Sequence, residues 1–277
     1  MKTRLILIVA LLSMLLASVA FADPERIVSL GPALTKQLYL LSAEDSLVGV
    51  TTFCQLPQAS EKQRVGTLLD ANIEKIVQLD PDLILATSLT SQRDIGKLRS
   101  LGIEVLAFPK AGSFAEICAH FLELAKYLGK EKQAAQLVSG VQAQVEQIKE
   151  KTKHLAKVSV FIQVGAKPLF TVSADSFFND LIEFSGGINI AQDTDSGLYS
   201  RERVFQGNPD VIIVTTMGLV GEEEKAVWQN YPALNAVQAQ RIYIVDEYQF
   251  CSMTPEDFLR ALEKMVEILH QNAPKSI

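Results

Sequence analysis

One segment of the chain occurs twice. In the first half, Asn72-Ile73-Glu74 precedes Pro81-Asp82-Leu83-Ile84; in the second, Ser200-Arg201-Glu202 precedes Pro209-Asp210-Val211-Ile212. In both copies a helix-capping side chain comes first, a Glu follows two residues later, and a Pro-Asp pair seven residues beyond that Glu opens an apolar run. Asn and Ser accept hydrogen bonds from first-turn amides, and an acidic side chain in that turn interacts favourably with the helix dipole. Each copy therefore reads as a short helix feeding a buried strand. A helix–strand unit present in both halves points to two related lobes. Lobes of this kind, facing each other across a cleft, bury a ligand naturally, because open sheets bind beyond the carboxyl ends of their strands.

The surrounding pattern supports that division. Ile27-Val28-Ser29-Leu30, Leu47 to Val50, Leu83 to Ala86 and Val105 to Phe108 are short β-rich runs, each followed by turn or helix material. Val158 to Val164, Val211 to Val214 and Ile242 to Val245 form a second set. Alternation of this kind predicts parallel α/β construction. Between the sets lies a helical stretch from Ser113 to Leu155, punctuated at Gly129, whose second part, Lys132 to His154, lacks Pro. A helix of ~20 residues is about 30 Å long and could act as a rigid spine between lobes, or else as a surface helix of one larger domain. The fold class expected is α/β: two lobes with central, mostly parallel sheets joined by one long backbone helix. The expected segments are a signal peptide at 1–22, a first lobe at 23–130, a linking helix at 131–156 and a second lobe at 157–277.

Lys2 and Arg4 precede an apolar run from Leu5 to Val19, and Ala20-Phe21-Ala22 supplies a small-x-small cleavage pattern, so export with a mature start at Asp23 is expected. No cysteine adjoins that site, so the exported form is expected to be a free periplasmic protein, not a lipoprotein. The net charge of −6 argues against nucleic acid as a partner. Of three cysteines, Cys118 falls in an apolar helical pattern, whereas Cys54 and Cys251 fall in loops and could form a disulfide. No G-x-S-x-G, H-E-x-x-H, P-loop or G-x-G-x-x-G occurs, so no enzyme is expected.

The ordered set Arg26-Ile27-Val28-Ser29-Leu30-Gly31-Pro32, Val48-Gly49-Val50-Thr51, Val65-Gly66, Asn72-Ile73-Glu74, Pro81-Asp82-Leu83-Ile84 and Leu101-Gly102-Ile103 resembles the helical-backbone periplasmic binding proteins for cobalamin and ferric siderophores. Asn179-Asp180-Leu181-Ile182, Gly186-Gly187-Ile188-Asn189 and Ser200-Arg201-Glu202 extend the resemblance through the second half. It implies a monomeric component of an ABC importer, without cofactor or bound metal of its own, that delivers its ligand to an inner-membrane permease. It also implies that Glu74 and Glu202 engage permease arginines, that one long helix joins the lobes, and that the lobes open only slightly.

Ligand contacts implied by the same resemblance come from loops after the strands. They are Pro32, Thr35, Thr51, Phe53, Leu69, Ser88, Leu89, Phe108 and Lys110 in the first lobe, and Phe170, Phe177, Tyr199, Met217, Tyr248 and Phe250 in the second. Several are aromatic, as suits a large flat chelate. Cobalamin pockets of the family are rich in Trp, whereas Trp228 is the single Trp here; siderophore pockets collect cations, for which Lys110, Lys167, Arg201 and Arg241 are candidates. The ligand stays open between a corrinoid and a ferric siderophore, with a lean to the corrinoid. Haem remains an alternative through Tyr199 or Tyr248. Direct metal capture is disfavoured because only His120, His154 and His270 are present.

Overall fold

The computed structural model describes residues 24–215 and 221–270, so the expected leader and Met217 lie outside the described residues. The first sheet contains β1 (Ile27–Ser29), β2 (Leu47–Val50), β3 (Gln63–Arg64), β4 (Leu83–Ala86) and β5 (Glu104–Ala107), in the order β3-β2-β1-β4-β5 and parallel throughout. The second contains β6 (Val158–Ala166), β7 (Leu169–Thr171), β8 (Gly187–Asn189), β9 (Val211–Thr215) and β10 (Ile242–Val245). Its order is β10-β9-β6-β7 with β8 also on β6, and only the β6–β7 hairpin is antiparallel. β3, β7 and β8 have two or three residues and, unlike β1, no continuous apolar run to mark them in the sequence.

Alternation along the strands sorts the apolar side chains into layers. In the first sheet, Val28, Ile84 and Val105 pack with α2 (Ile73–Gln78) and α3 (Gln92–Ser100) on the outer face. In the second, Phe161, Ile212, Val214 and Ile242 pack with α7 (Arg201–Gly207), α8 (Gly221–Gln229) and α9 (Asn235–Gln238). The inner faces, represented by Ile27, Leu83 and Leu85 and by Val160, Ile162 and Ile213, join one continuous core. That core takes in α1 (Pro32–Leu40), α4 (Phe114–Tyr127), α5 (Glu131–Thr152), α6 (Phe177–Phe184), α10 (Glu247–Phe250) and α11 (Pro255–His270). Relative movement of the lobes must therefore disturb a close-packed helical layer, which favours a stiff molecule.

The stretch expected as one punctuated helix is resolved as α4 and α5, separated at Gly129, whose φ of +61° is left-handed and suits Gly at a helix end. Ala134, Val138, Val141 and Val145 recur at helical spacing on the buried face of the 22-residue α5. α5 is thus a structural member of the shared core.

The repeated Pro-Asp has a role that its local pattern did not reveal. Asp82 Oδ2 accepts the amides of Glu25 (3.0 Å) and Arg26 (2.9 Å) as the chain enters β1, 56–57 residues away. Asp210 Oδ2 likewise accepts the Ser159 amide (2.9 Å) and hydroxyl (2.7 Å) in β6. Each Asp thus staples the amino end of the central strand to its neighbour. Burial alone would raise the Asp210 carboxyl, but the hydrogen bonds from Ser159 and Asn235, with Arg241 nearby, hold it below the usual carboxylate value. A depressed folded value means stability that is present above the unfolded pKa of about 4 and lost as pH falls through the folded value. Asp210→Asn should cost about 1–3 kcal/mol in urea denaturation at pH 7, with the gap from wild type closing in acid. A constant difference down to pH 2 would refute that account.

Candidate functional site

In a parallel unit the helix begins where the preceding strand ends, so the first turns of α2 and α7 lie toward the carboxyl edges of their sheets. Asn72 Oδ1 accepts the Lys75 amide at 2.9 Å and Ser200 Oγ the Arg203 amide at 3.3 Å, which starts the two helices in the same manner. Glu74 and Glu202 are both exposed, each in the first turn of its outer-layer helix. The Glu202 carboxyl is held below its ordinary value by hydrogen bonds from its own amide and the Ser200 hydroxyl.

The carboxyl edges of the two sheets come together. Tyr248, just beyond β10, sets its phenol beside Cys54 and Gln55, just beyond β2. Asp180 of α6 accepts the Phe114 amide at the start of α4, which follows β5, at 2.7 Å. Beyond the strand ends both lobes expose large apolar side chains: Phe53 (45% exposed), Leu69 (69%) and Leu89 (52%) in loops of the first, Phe170 (37%) in β7 and Leu198 (48%) in the segment bridged to it in the second. Large apolar side chains exposed just after strand ends are candidate ligand contacts.

Phe170 of β7 forms an isolated antiparallel bridge with Leu198, and a Cβ at Gly165 would come within 3.1 Å of Phe170, so Gly165 lets that ring lie flat on the hairpin. The Phe53 loop is held by Arg64, which donates to the carbonyls of Thr51 (2.9 Å) and Cys54 (3.0 Å). Neither Arg64 nor Leu198 was singled out in the sequence, because the partners that give each its place are not chain neighbours.

The other expected contact residues divide. Ser88 and Lys110 are exposed in first-lobe loops, whereas Phe177, stacked on Phe178, and Tyr199 are half-buried. Pro32, Thr35, Thr51, Phe108 and Phe250 are buried, and Phe250 and Phe108 belong to the shared core, so their side chains do not line an open surface as expected. The considered disulfide is absent: Cys54, Cys118 and Cys251 are all free, and the Tyr248 phenol lies against Cys54. Burial raises the Cys251 thiol to about 12 and suppresses its thiolate.

Two of the four candidate cations are committed within the protein. Arg201 pairs with Glu224 at 3.2 Å and lies 4.4 Å from the centre of the Trp228 ring, and Arg241 donates to the carbonyls of Ile268 (3.1 Å) and Leu269 (2.8 Å). Lys110 and Lys167 remain exposed. The Tyr199 hydroxyl donates to the Ile190 carbonyl at 3.1 Å, and the Tyr248 hydroxyl is buried. Among the described residues, no three His, Cys, Asp or Glu side chains gather as metal ligands, and no helix is long and apolar enough to cross a membrane.

Residues 27–249 match the family described as periplasmic binding protein. The ABC transporter substrate-binding lipoprotein YvrC of Bacillus subtilis is 33% identical over 91% of this chain and 82% of its own. The vitamin B12-binding protein of Pectobacterium atrosepticum is 30% identical over 79% of this chain and 81% of its own. Among solved structures, the periplasmic vitamin B12-binding protein BtuF of Vibrio cholerae superposes with a TM-score of 0.76, covering 90% of this chain and 98% of BtuF at 26% identity.

Proposed function

Because the chain belongs to the periplasmic binding protein family, whose members carry solutes to transporters without catalysing a reaction, we propose that it captures a corrinoid in the periplasm and hands it to an ABC permease. The observation that carries this reading is the exposure of Phe53, Leu69, Leu89, Phe170 and Leu198 on two lobes whose carboxyl edges meet. A large, flat, weakly charged chelate suits such walls. An anionic ferric siderophore would call for convergent cations, and Arg201 and Arg241 are engaged elsewhere. Haem would call for an axial side chain, and the Tyr199 hydroxyl is occupied by the Ile190 carbonyl. The exposed carboxylates of Glu74 and Glu202 supply two matched acids for bidentate pairing with permease arginines, one on each lobe.

Equilibrium titration of the purified protein with cyanocobalamin, cobinamide, haem and a panel of ferric siderophores tests the ligand. Saturable binding of both corrinoids is the expected result. Phe170→Ala should weaken cyanocobalamin about two- to tenfold, the range for loss of an aromatic contact. Saturation by haem alone would transfer the reading to haem, and flat traces with every chelate would end it.

A further inference from the structure

Lys36 stands on the second turn of α1 in the first lobe, yet its ammonium reaches into the second. It donates to the carbonyls of Tyr248 (2.8 Å) and Ser252 (3.0 Å), pairs with Asp257 Oδ2 at 3.3 Å, and lies 4.0 Å from the centre of the Tyr248 ring. An ammonium has three donors, and here it meets three acceptors and an aromatic face. The Lys36 and Asp257 side chains are only 11% and 12% exposed. Burying such a pair is costly unless every group is satisfied, so an arrangement this complete reflects a geometric demand, not a gain of loose surface charge.

The receiving end is itself braced. Asp257 Oδ2 also accepts the Thr254 amide (3.2 Å) and hydroxyl (2.9 Å), and its Oδ1 accepts from Arg260 (2.8 Å). The segment that is gripped, residues 248–252, follows the carboxyl end of β10, while α1 follows the carboxyl end of β1. Lys36 thus ties together segments that follow strand ends of the two sheets, β1 in the first and β10 in the second. The Tyr248 phenol makes the reciprocal crossing to Cys54 and Gln55, in the loop that carries Phe53.

We propose that Lys36 is a positioning residue that bolts the α10 segment to the first lobe and thereby sets the width of the ligand slot. The slot itself rests on the reading given under Proposed function; the bolt does not. Hydrogen exchange and ligand release measured on Lys36→Met and Lys36→Arg separate the two. Without ligand, Lys36→Met should lose at least tenfold amide protection across residues 247–252 while Ile212 to Val214 in β9 keep theirs, and Lys36→Arg, which keeps the charge, should lose less. With ligand, Lys36→Met should speed release of cyanocobalamin about tenfold and that of the smaller cobinamide less, since a slot of altered width discriminates by size.

Unchanged protection at 247–252 would overturn the bolt. Equal weakening of both corrinoids would overturn its control of width and leave only a stabilising contact. If Lys36→Met does not fold, Asp257→Asn removes the partner charge and is held to the same outcomes. A wild-type protein that binds neither corrinoid would defeat the functional reading alone, because the exchange experiment would still decide the bolt.

Discussion

Glu74→Ala combined with Glu202→Ala should leave cyanocobalamin affinity within about twofold of wild type and abolish most stimulation of the permease ATPase in a reconstituted system. Both carboxylates are exposed on outer-layer helices, and neither is among the apolar side chains that rim the cleft. Truncating one partner of a charge pair that becomes buried in a complex costs about 2–5 kcal/mol, so two additive losses should weaken docking by roughly a thousandfold or more. Each single substitution should fall between, and the gap from wild type should narrow as salt is raised, because screening weakens the charge pairs that only the wild type makes. Loss of corrinoid affinity in the double variant would instead assign these residues to the pocket. Normal ATPase stimulation would remove them from delivery altogether.

Trp228→Ala should be the most destabilising single change in the second lobe. The indole is fully buried, meets Phe161 edge-on at 5.8 Å, donates to Gln163 Oε1 at 2.6 Å and lies against the Arg201 guanidinium. Gln163 in turn donates to Glu224 Oε2 at 2.8 Å, the same oxygen that Arg201 contacts. Truncation opens a cavity worth about 3–5 kcal/mol and leaves Gln163 Oε1 without its donor. In urea the midpoint should fall accordingly, and in a thermal scan by roughly 10 °C. Trp228→Phe should recover most of the packing but not the hydrogen bond, and so lie between the two. A cost below about 1 kcal/mol for the Ala variant would mean that the outer layer of the second lobe relaxes around the loss. Arg201 immediately precedes Glu202, so the same variant should also impair docking if this network orients α7.

How far the site was legible depended on the range of the interaction concerned. The caps at Asn72 and Ser200, the acids at Glu74 and Glu202 and the strands after each Pro-Asp follow from contacts within about ten residues, and the structure places them as equivalent units in two sheets. Phe53, Leu69 and Phe170 were named as candidate contacts and are exposed, while Phe250 was named for the same reason and is core. Nothing local separates these cases, because an aromatic in a loop after a strand can turn either way. Nothing near Lys36 in the sequence marks it out. Its partners stand 212 and 216 residues away, and only docking of the lobes brings them within reach.

Alternation of apolar side chains, capping residues and a copied helix–strand unit were enough, in the sequence alone, to indicate two α/β blocks with a long helical stretch between them, since these features act through neighbours along the chain. Tertiary structure decided which carboxylate staples which strand, which aromatic faces the cleft and which lysine crosses it. Those outcomes depend on the relative placement of rigid elements, which is set by the packing of one shared core and is encoded in no single segment.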